Sequence, residues 1–205
     1  MTLSVHETNR LKHAPAVEGV LPLFHQRWSP RSFTDRAVSS SDLAKIFEAA
    51  RWTPSSSNIQ PWRFIVGLRG TDTNSKIVSA LMGFNQSWAG AAPVLILGVA
   101  HTASPRGKNA YALFDLGAAT YAITLQAASL GLSTHQMAGF DQAIARKALE
   151  IPEDYVLGSV IALGYQGEPE ALANEELVKR ELAPRDRKPL KELVFSAWDT
   201  PADFV

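Results

Sequence analysis

Residues 110–132 read AYALFDLGAATYAITLQAASLGL. The stretch is long enough for about six turns of helix. It carries one charge, Asp115, among many small residues: Gly117, Ala118, Ala119, Ala122, Ala127 and Ala128. A helix that is apolar nearly all round has to be covered on every side, and small residues let another backbone come close. Two arrangements satisfy this: the central core helix of a monomer, or a helix partly covered by a second subunit. In a chain of 205 residues the second packing is the easier one. The segment therefore predicts an obligate oligomer, most simply a two-fold dimer.

The elements around this helix follow from periodicity. Val17, Val20, Leu21 and Phe24 have helical spacing despite Pro22. Ser39 stands as an N-cap with Asp42 three residues on, ahead of the apolar stripe Leu43, Ile46, Phe47 and Ala50. Residues 53–62 (TPSSSNIQPW) form a loop, 63–68 (RFIVGL) a strand, and Ile77, Val78 and Leu81 mark another helix. The run 91–100 (AAPVLILGVA) reads as a strand buried on both faces. A short extended piece to Gly139, a helix from Asp141 to Leu149 and a strand from Gly158 to Tyr165 complete the pattern. Helices and strands mix without strict βαβ alternation, so the fold class is α+β: one sheet with helices on both faces. No linker divides the chain, and a single domain spans 1–205, with 1–15 a loose N-terminal arm and a polar tail from Glu168.

Composition excludes several classes. Lys plus Arg and Asp plus Glu both number 20, so no net field draws nucleic acid or an anionic membrane. There is no cysteine, hence no thiol nucleophile, disulfide or cysteine-ligated metal. The opening residues hold no signal-peptide core and no run is long enough to span a membrane, which predicts a cytoplasmic protein. No GxGxxG, GxxxxGK[ST] or GxSxG motif occurs. The five histidines lack metal spacing; His135 is read as a structural histidine rather than a ligand, and Glu175–Glu176 as a solvated helix face.

Two stretches could carry chemistry. In Arg27-x-Ser29-x-Arg31 two guanidiniums and a hydroxyl fall on one side of an extended segment. The arginine fork suits phosphate, and Arg185 and Arg187 offer more of it near the end of the chain. Ser55, Ser56, Ser57, Asn58 and Gln60, held between Pro54 and Trp62, suit the hydrogen-bonding edge of a planar heterocycle. Read alone, that loop serves equally as a turn-rich connection with Trp62 in the core.

Five blocks in order, RWSPRSF, WTPSSSNIQPWRFIV, FNQSWAGAAPVLIL, GLSTHQMAGFD and PRDRKPLKEL, resemble the FMN-dependent nitroreductase family over about residues 20–195. The resemblance implies a homodimer with a central mixed, mainly antiparallel sheet, flanking helices and the long helix buried at the dimer interface. It implies one FMN at each interface. Arg27, Trp28 and Ser29 would lie at its phosphate and Arg31 near the pyrimidine ring. Pro54, Ser55, Ser56, Ser57 and Asn58 would come from the partner's loop. Asn85 would read the pyrimidine edge, Ala138 and Gly139 would lie beside N5, and Met137 would contact the cofactor and line the pocket. Arg185 and Arg187 would return to the phosphate. Phe84 and Trp88 are expected to line a substrate pocket. The implied reaction passes a hydride from NADPH or NADH through flavin N5 to a small electron-poor acceptor (a nitroaromatic, quinone or activated alkene) by a ping-pong cycle, with no catalytic side chain and no metal. Dehalogenation, flavin fragmentation or dehydrogenation on the same fold, and a non-catalytic flavin-binding protein, are the alternatives. The sequence departs from the family where some members carry a lysine just after the Asn85 position: Gln86, Ser87 and Trp88 follow here.

Overall fold

A computed structural model describes residues 3–105 and 107–205. Its helices are α1 (Val5–Lys12), α2 (Pro22–Gln26), α3 (Ser40–Arg51), α4 (Asp72–Ala80), α5 (Gly83–Ala89), α6 (Ala112–Ser129), α7 (Gln142–Ala148) and α8 (Glu175–Leu182). The strands are β1 (Trp62–Leu68), β2 (Val94–His101), β3 (Ala103–Ser104), β4 (Gly107–Lys108), β5 (Ser133–Met137), β6 (Tyr155–Gly164), β7 (Phe195–Ala197) and β8 (Thr200–Pro201).

The central sheet has the order β1-β2-β6-β5, and its three pairings are all antiparallel. The mixed sheet that the resemblance implied therefore has no parallel pair among the described residues. Strand β2 is buried on both faces, as its unbroken apolar run predicts. Its residues alternate: Leu95, Leu97 and Val99 face a core completed by Ile77, Trp88, Met137, Phe140 and Leu177. Val94, Ile96 and Ala100 face a second core formed with Ile46, Ala50, Leu116, Ala119 and Ile123. The period of two thus divides the helices, α3 and α6 on one face and α4, α5, α7 and α8 on the other.

Helix α6 lies close against the sheet because two strand glycines make room. A Cβ on Gly158 would sit 2.6 Å from a Leu116 methyl, and one on Gly98 would sit 3.3 Å from the other. The opposite face of α6 is uncovered in the protomer. Leu113, Phe114 and Tyr121 are exposed, Phe114 by 75%, while Ala112, Leu116, Ala119, Ile123 and Ala127 are buried. The helix is therefore not enclosed by its own chain.

Two expectations are corrected. Residues 3–15 are not a loose arm. Ser4 and Glu7 form a reciprocal capping box that starts α1, and Thr8 and Lys12 are buried against the rest of the chain; Met1 and Thr2 lie outside the described residues. The helix expected from Val17 begins only at Pro22, which takes the first helical position its ring suits. The polar tail contains α8, capped by Asn174, whose side chain accepts the N–H groups of Glu176 and Leu177. Ser39 and Asp141 cap α3 and α7 as read from the sequence.

Candidate functional site: a basic strap beside an amide ledge

Residues 27–32 leave α2 in extended form and alternate in burial. Trp28, Pro30 and Ser32 are buried, whereas Arg27, Ser29 and Arg31 are half-exposed on the other side. The Trp28 ring is core: its N–H donates to Asn9 Oδ1 at 2.7 Å and Lys12 Nζ lies 4.9 Å above it. The strap's backbone is held almost residue by residue. Arg185 donates to the carbonyls of His25 and Arg27, both at 2.5 Å. His135 donates from Nδ1 to the Pro30 carbonyl at 3.0 Å. Glu181 accepts the N–H of Arg31 at 2.8 Å and that of Ser32 at 3.2 Å. Ser32 Oγ donates to the Glu168 carbonyl at 2.6 Å.

These bonds leave the Arg27 head without a carboxylate partner, whereas that of Arg31 lies 3.8 Å from the Glu181 carboxylate. Arg187 lies close enough to Arg27 and Arg185 to act on both: burial first, then the charges of Arg27 and Arg187, lowers the pKa of Arg185, and burial first lowers that of Arg27. No carboxylate is among the groups acting on either. The buried Nε of Arg185 and that of Arg31 have no hydrogen-bond partner among the described residues. Desolvating like charges without a counter-ion is costly. A cluster of this kind is a site for an anion, and a phosphate monoester carrying nearly two negative charges meets that requirement. A cavity of about 290 Å³ opens beside Arg27, with Thr124, Ala128 and Thr134 in its wall.

Beyond Arg31 the strap meets a ledge of amides. Asn85, on α5, donates from Nδ2 to the Gly139 carbonyl at 3.0 Å, and the Met82 N–H reaches the same oxygen at 3.1 Å. A Cβ on Gly139 would lie 2.6 Å from Asn85 Nδ2, so the close approach needs glycine. The N–H groups of Ala138 and Gly139 have no partner among the described residues. Phe84 lies in front of the ledge, 41% exposed, its ring 5.8 Å from the Arg31 guanidinium and 4.7 Å from that of Arg180. Trp88, expected on a pocket wall, is instead in the core, 6.4 Å from Phe33 and 4.6 Å from His135 by ring centroids. Phe84 and Trp88, four residues apart, share one face of α5; Trp88, near its C-terminal end, meets the core, while Phe84, in the first turn, stays at the rim. The Met137 side chain is likewise buried.

The Pro54–Asn58 loop is anchored elsewhere in the same protomer. Buried Asp115, in the first turn of α6, accepts the Ser56 N–H at 3.2 Å. Ser55 Oγ accepts the Gln60 N–H at 2.9 Å. These bonds hold Ser57, Asn58 and Gln60 at φ of 49°, 54° and 51°, a left-handed conformation that non-glycine residues adopt at some cost. Arg27 shares its cavity wall with Thr124, nine residues further along α6, or about 14 Å at 1.5 Å per residue. The structure thus brings Arg27, Arg185 and Arg187 together, and Arg31 with Phe84, while the loop stands at the far end of α6.

Comparison with known families matches residues 25–85 and 68–165 to the nitroreductase family. The chain belongs to that family. An uncharacterised 15.4 kDa protein of Mycolicibacterium smegmatis is 36% identical over 148 residues, which cover 68% of this chain and 99% of that one. An Archaeoglobus fulgidus protein provisionally named NADH dehydrogenase/NAD(P)H nitroreductase is 34% identical over 156 residues, covering 73% of this chain and 86% of that one. A solved oxidoreductase containing FMN has a TM-score of 0.84 at 33% identity, covering 92% of this chain and 96% of that one. A provisionally named nitroreductase of Desulfovibrio desulfuricans, solved with FMN, gives 0.71 at 26% identity, with 89% and 98% covered.

Two residues of the site escaped the sequence reading. Glu181 continues the inward stripe of Leu177 on α8, and an acid on an apolar stripe is the signal that would have marked it. Asp115 stands in the sequence as the lone charge of its helix, and its bond to the loop has no local signal. His135 is structural, as read. Burial first, then the charge of Arg31, pushes its pKa from 6.5 down to about 4. The folded protein then binds fewer protons than the unfolded chain between these values, so stability is lost as pH falls from about 6.5 to about 4. That loss amounts to about 3 kcal/mol at most. In His135→Asn, which keeps a donor toward Pro30 without titrating, denaturant unfolding between pH 7 and pH 4 should show a shallower decline. Equal slopes for the two proteins would refute this role.

Proposed function

We propose that this chain is an FMN-dependent oxidoreductase, working as a two-fold dimer, that passes a hydride from NADH or NADPH to a small electron-poor acceptor such as a nitroaromatic, quinone or activated alkene. The observation that carries this reading is the gathering of Arg27, Arg185 and Arg187, with no carboxylate acting on Arg27 or Arg185. The FMN in similar solved structures supports it. Bound here, FMN would supply a ring nitrogen, N5, that accepts and returns a hydride.

The chain's own residues do the rest by binding and field. Arg27, Arg185 and Arg187 would grip the phosphate, with Ser29 on the same side of the strap. Arg31 would place positive charge at the pyrimidine edge, where Asn85 adds an amide. The unpartnered N–H groups of Ala138 and Gly139 would face the reacting nitrogen, preorganised by the bond from Asn85 to Gly139. No side chain needs to act as acid, base or nucleophile. The exposed face of Phe84 gives a planar acceptor an apolar rim.

The dimer supplies the missing loop. If the bare faces of two α6 helices pair about a two-fold axis, each N-terminal end lies against the partner's C-terminal end. The loop tied to Asp115 in one protomer then reaches the strap of the other. In the absorption test, purified protein is yellow, or becomes so on adding FMN, and reduced nicotinamide bleaches the flavin band without oxygen. Colourless protein that cannot be reconstituted rejects the reading.

A further inference from the structure

Glu181, in the last turn of α8, is only 1% exposed. Its Oε1 accepts the N–H groups of Arg31 and Ser32 at 2.8 and 3.2 Å, and its Oε2 lies 3.1 Å from the Arg31 N–H and 3.8 Å from Arg31 Nη1. Lys12, on α1, acts on the same carboxylate and donates to the carbonyls closing α8: that of Arg180 at 3.1 Å, and that of Ala183. Four residues after Glu181, Arg185 returns to the strap. The two arginine-bearing segments, distant in sequence, are thereby registered against each other across one side chain. Burial pushes the Glu181 carboxyl up, while the two N–H groups, Arg31 and Lys12 hold it down. A buried carboxylate is an expensive way to fill core space, and nothing in the fold of α8 calls for one.

We propose that Glu181 is the positioning residue of this site: it sets the register of the Arg27–Arg31 strap against Arg185 and Arg187, and it restrains the positive field that Arg31 presents to the flavin ring. This rests on the FMN reading above. The two roles belong to different parts of the side chain. Register depends on an oxygen that accepts from Arg31 and Ser32, whereas the field depends on the negative charge. Glu181→Gln keeps Oε1 for both N–H groups and removes the charge. Glu181→Ala removes both.

The test measures FMN affinity by titrating the flavin-free dimer, and the midpoint potential of the bound flavin. In Glu181→Gln the potential moves to more positive values, because an unrestrained Arg31 favours the electron-rich reduced ring, while FMN affinity stays within about threefold of the native protein or tightens. In Glu181→Ala the dimer persists and FMN affinity falls at least tenfold. An unchanged potential in Glu181→Gln, or native affinity in Glu181→Ala, overturns the proposal. Should Glu181→Ala not fold, the potential of Glu181→Gln decides alone. Failure of the native protein to bind FMN overturns the functional reading instead, so the two failures are distinct.

Discussion

Arg27→Ala lowers FMN affinity by roughly 10- to 100-fold, as expected for losing one charge-assisted bond of about 1.5–3 kcal/mol to a phosphate, yet leaves the flavin-free protein at least as stable as before. The second half separates a binding residue from a structural one. The Arg27 guanidinium forms no ion pair or side-chain hydrogen bond among the described residues, and burial together with Arg187 works against its charge. Removing it relieves a penalty in the empty protein and removes a gain in the loaded one, the balance expected of a site held at some cost to the fold. Arg187→Ala should follow Arg27→Ala. Arg185→Ala should not, because Arg185 also holds the carbonyls of His25 and Arg27, and its loss should lower both affinity and melting temperature. Flavin titration and thermal unfolding of the three variants check this. A melting temperature that falls in Arg27→Ala with FMN affinity unchanged would assign that residue to the fold instead.

Phe114→Glu is expected to have the largest effect of all: loss of the dimer and, with it, of flavin binding. Phe114 stands 75% exposed on the bare face of α6, so the substitution costs a lone protomer nothing in core packing. In a two-fold pairing each Phe114 meets the partner's apolar surface, and two unpaired carboxylates buried there would cost several kcal/mol. Sedimentation at micromolar concentration should show a folded monomer, and FMN should no longer be retained because the Pro54–Asn58 loop cannot reach a partner's strap. A dimer that survives the change would place the interface elsewhere. A monomer that keeps native FMN affinity would show that one chain suffices for the site.

The legible and the illegible parts of the molecule differ in kind. Segments whose local pattern answers to burial were readable: β2 with its unbroken apolar run, α3 with its stripe and Ser39 cap, and the alternation that puts Arg27, Ser29 and Arg31 on one side of the strap. The length and smallness of α6 were also readable, as was its need for cover, although its own chain buries only one face. What stayed hidden was long-range pairing of polar groups. Glu181 holds an N–H 150 residues away, Lys12 closes a helix that begins past residue 170, and Asp115 fixes a loop 59 residues earlier. Such contacts leave no local pattern, and an opening segment that is polar in composition gave no sign that Thr8 and Lys12 would be buried. Trp88 and Phe84 show the same limit on a smaller scale: the resemblance put both aromatics at the site, and only their positions along α5, one at the core end and one in the first turn, separate core from rim.

The central claim is that guanidiniums from the two ends of the chain hold a phosphate. The direct measurement is the affinity of the flavin-free dimer for FMN against riboflavin, which has the same ring and sugar chain without the phosphate. With three arginines contributing, FMN should bind at least about 100-fold more tightly, and the gap should narrow as salt is raised. Equal affinity for the two flavins would contradict the claim.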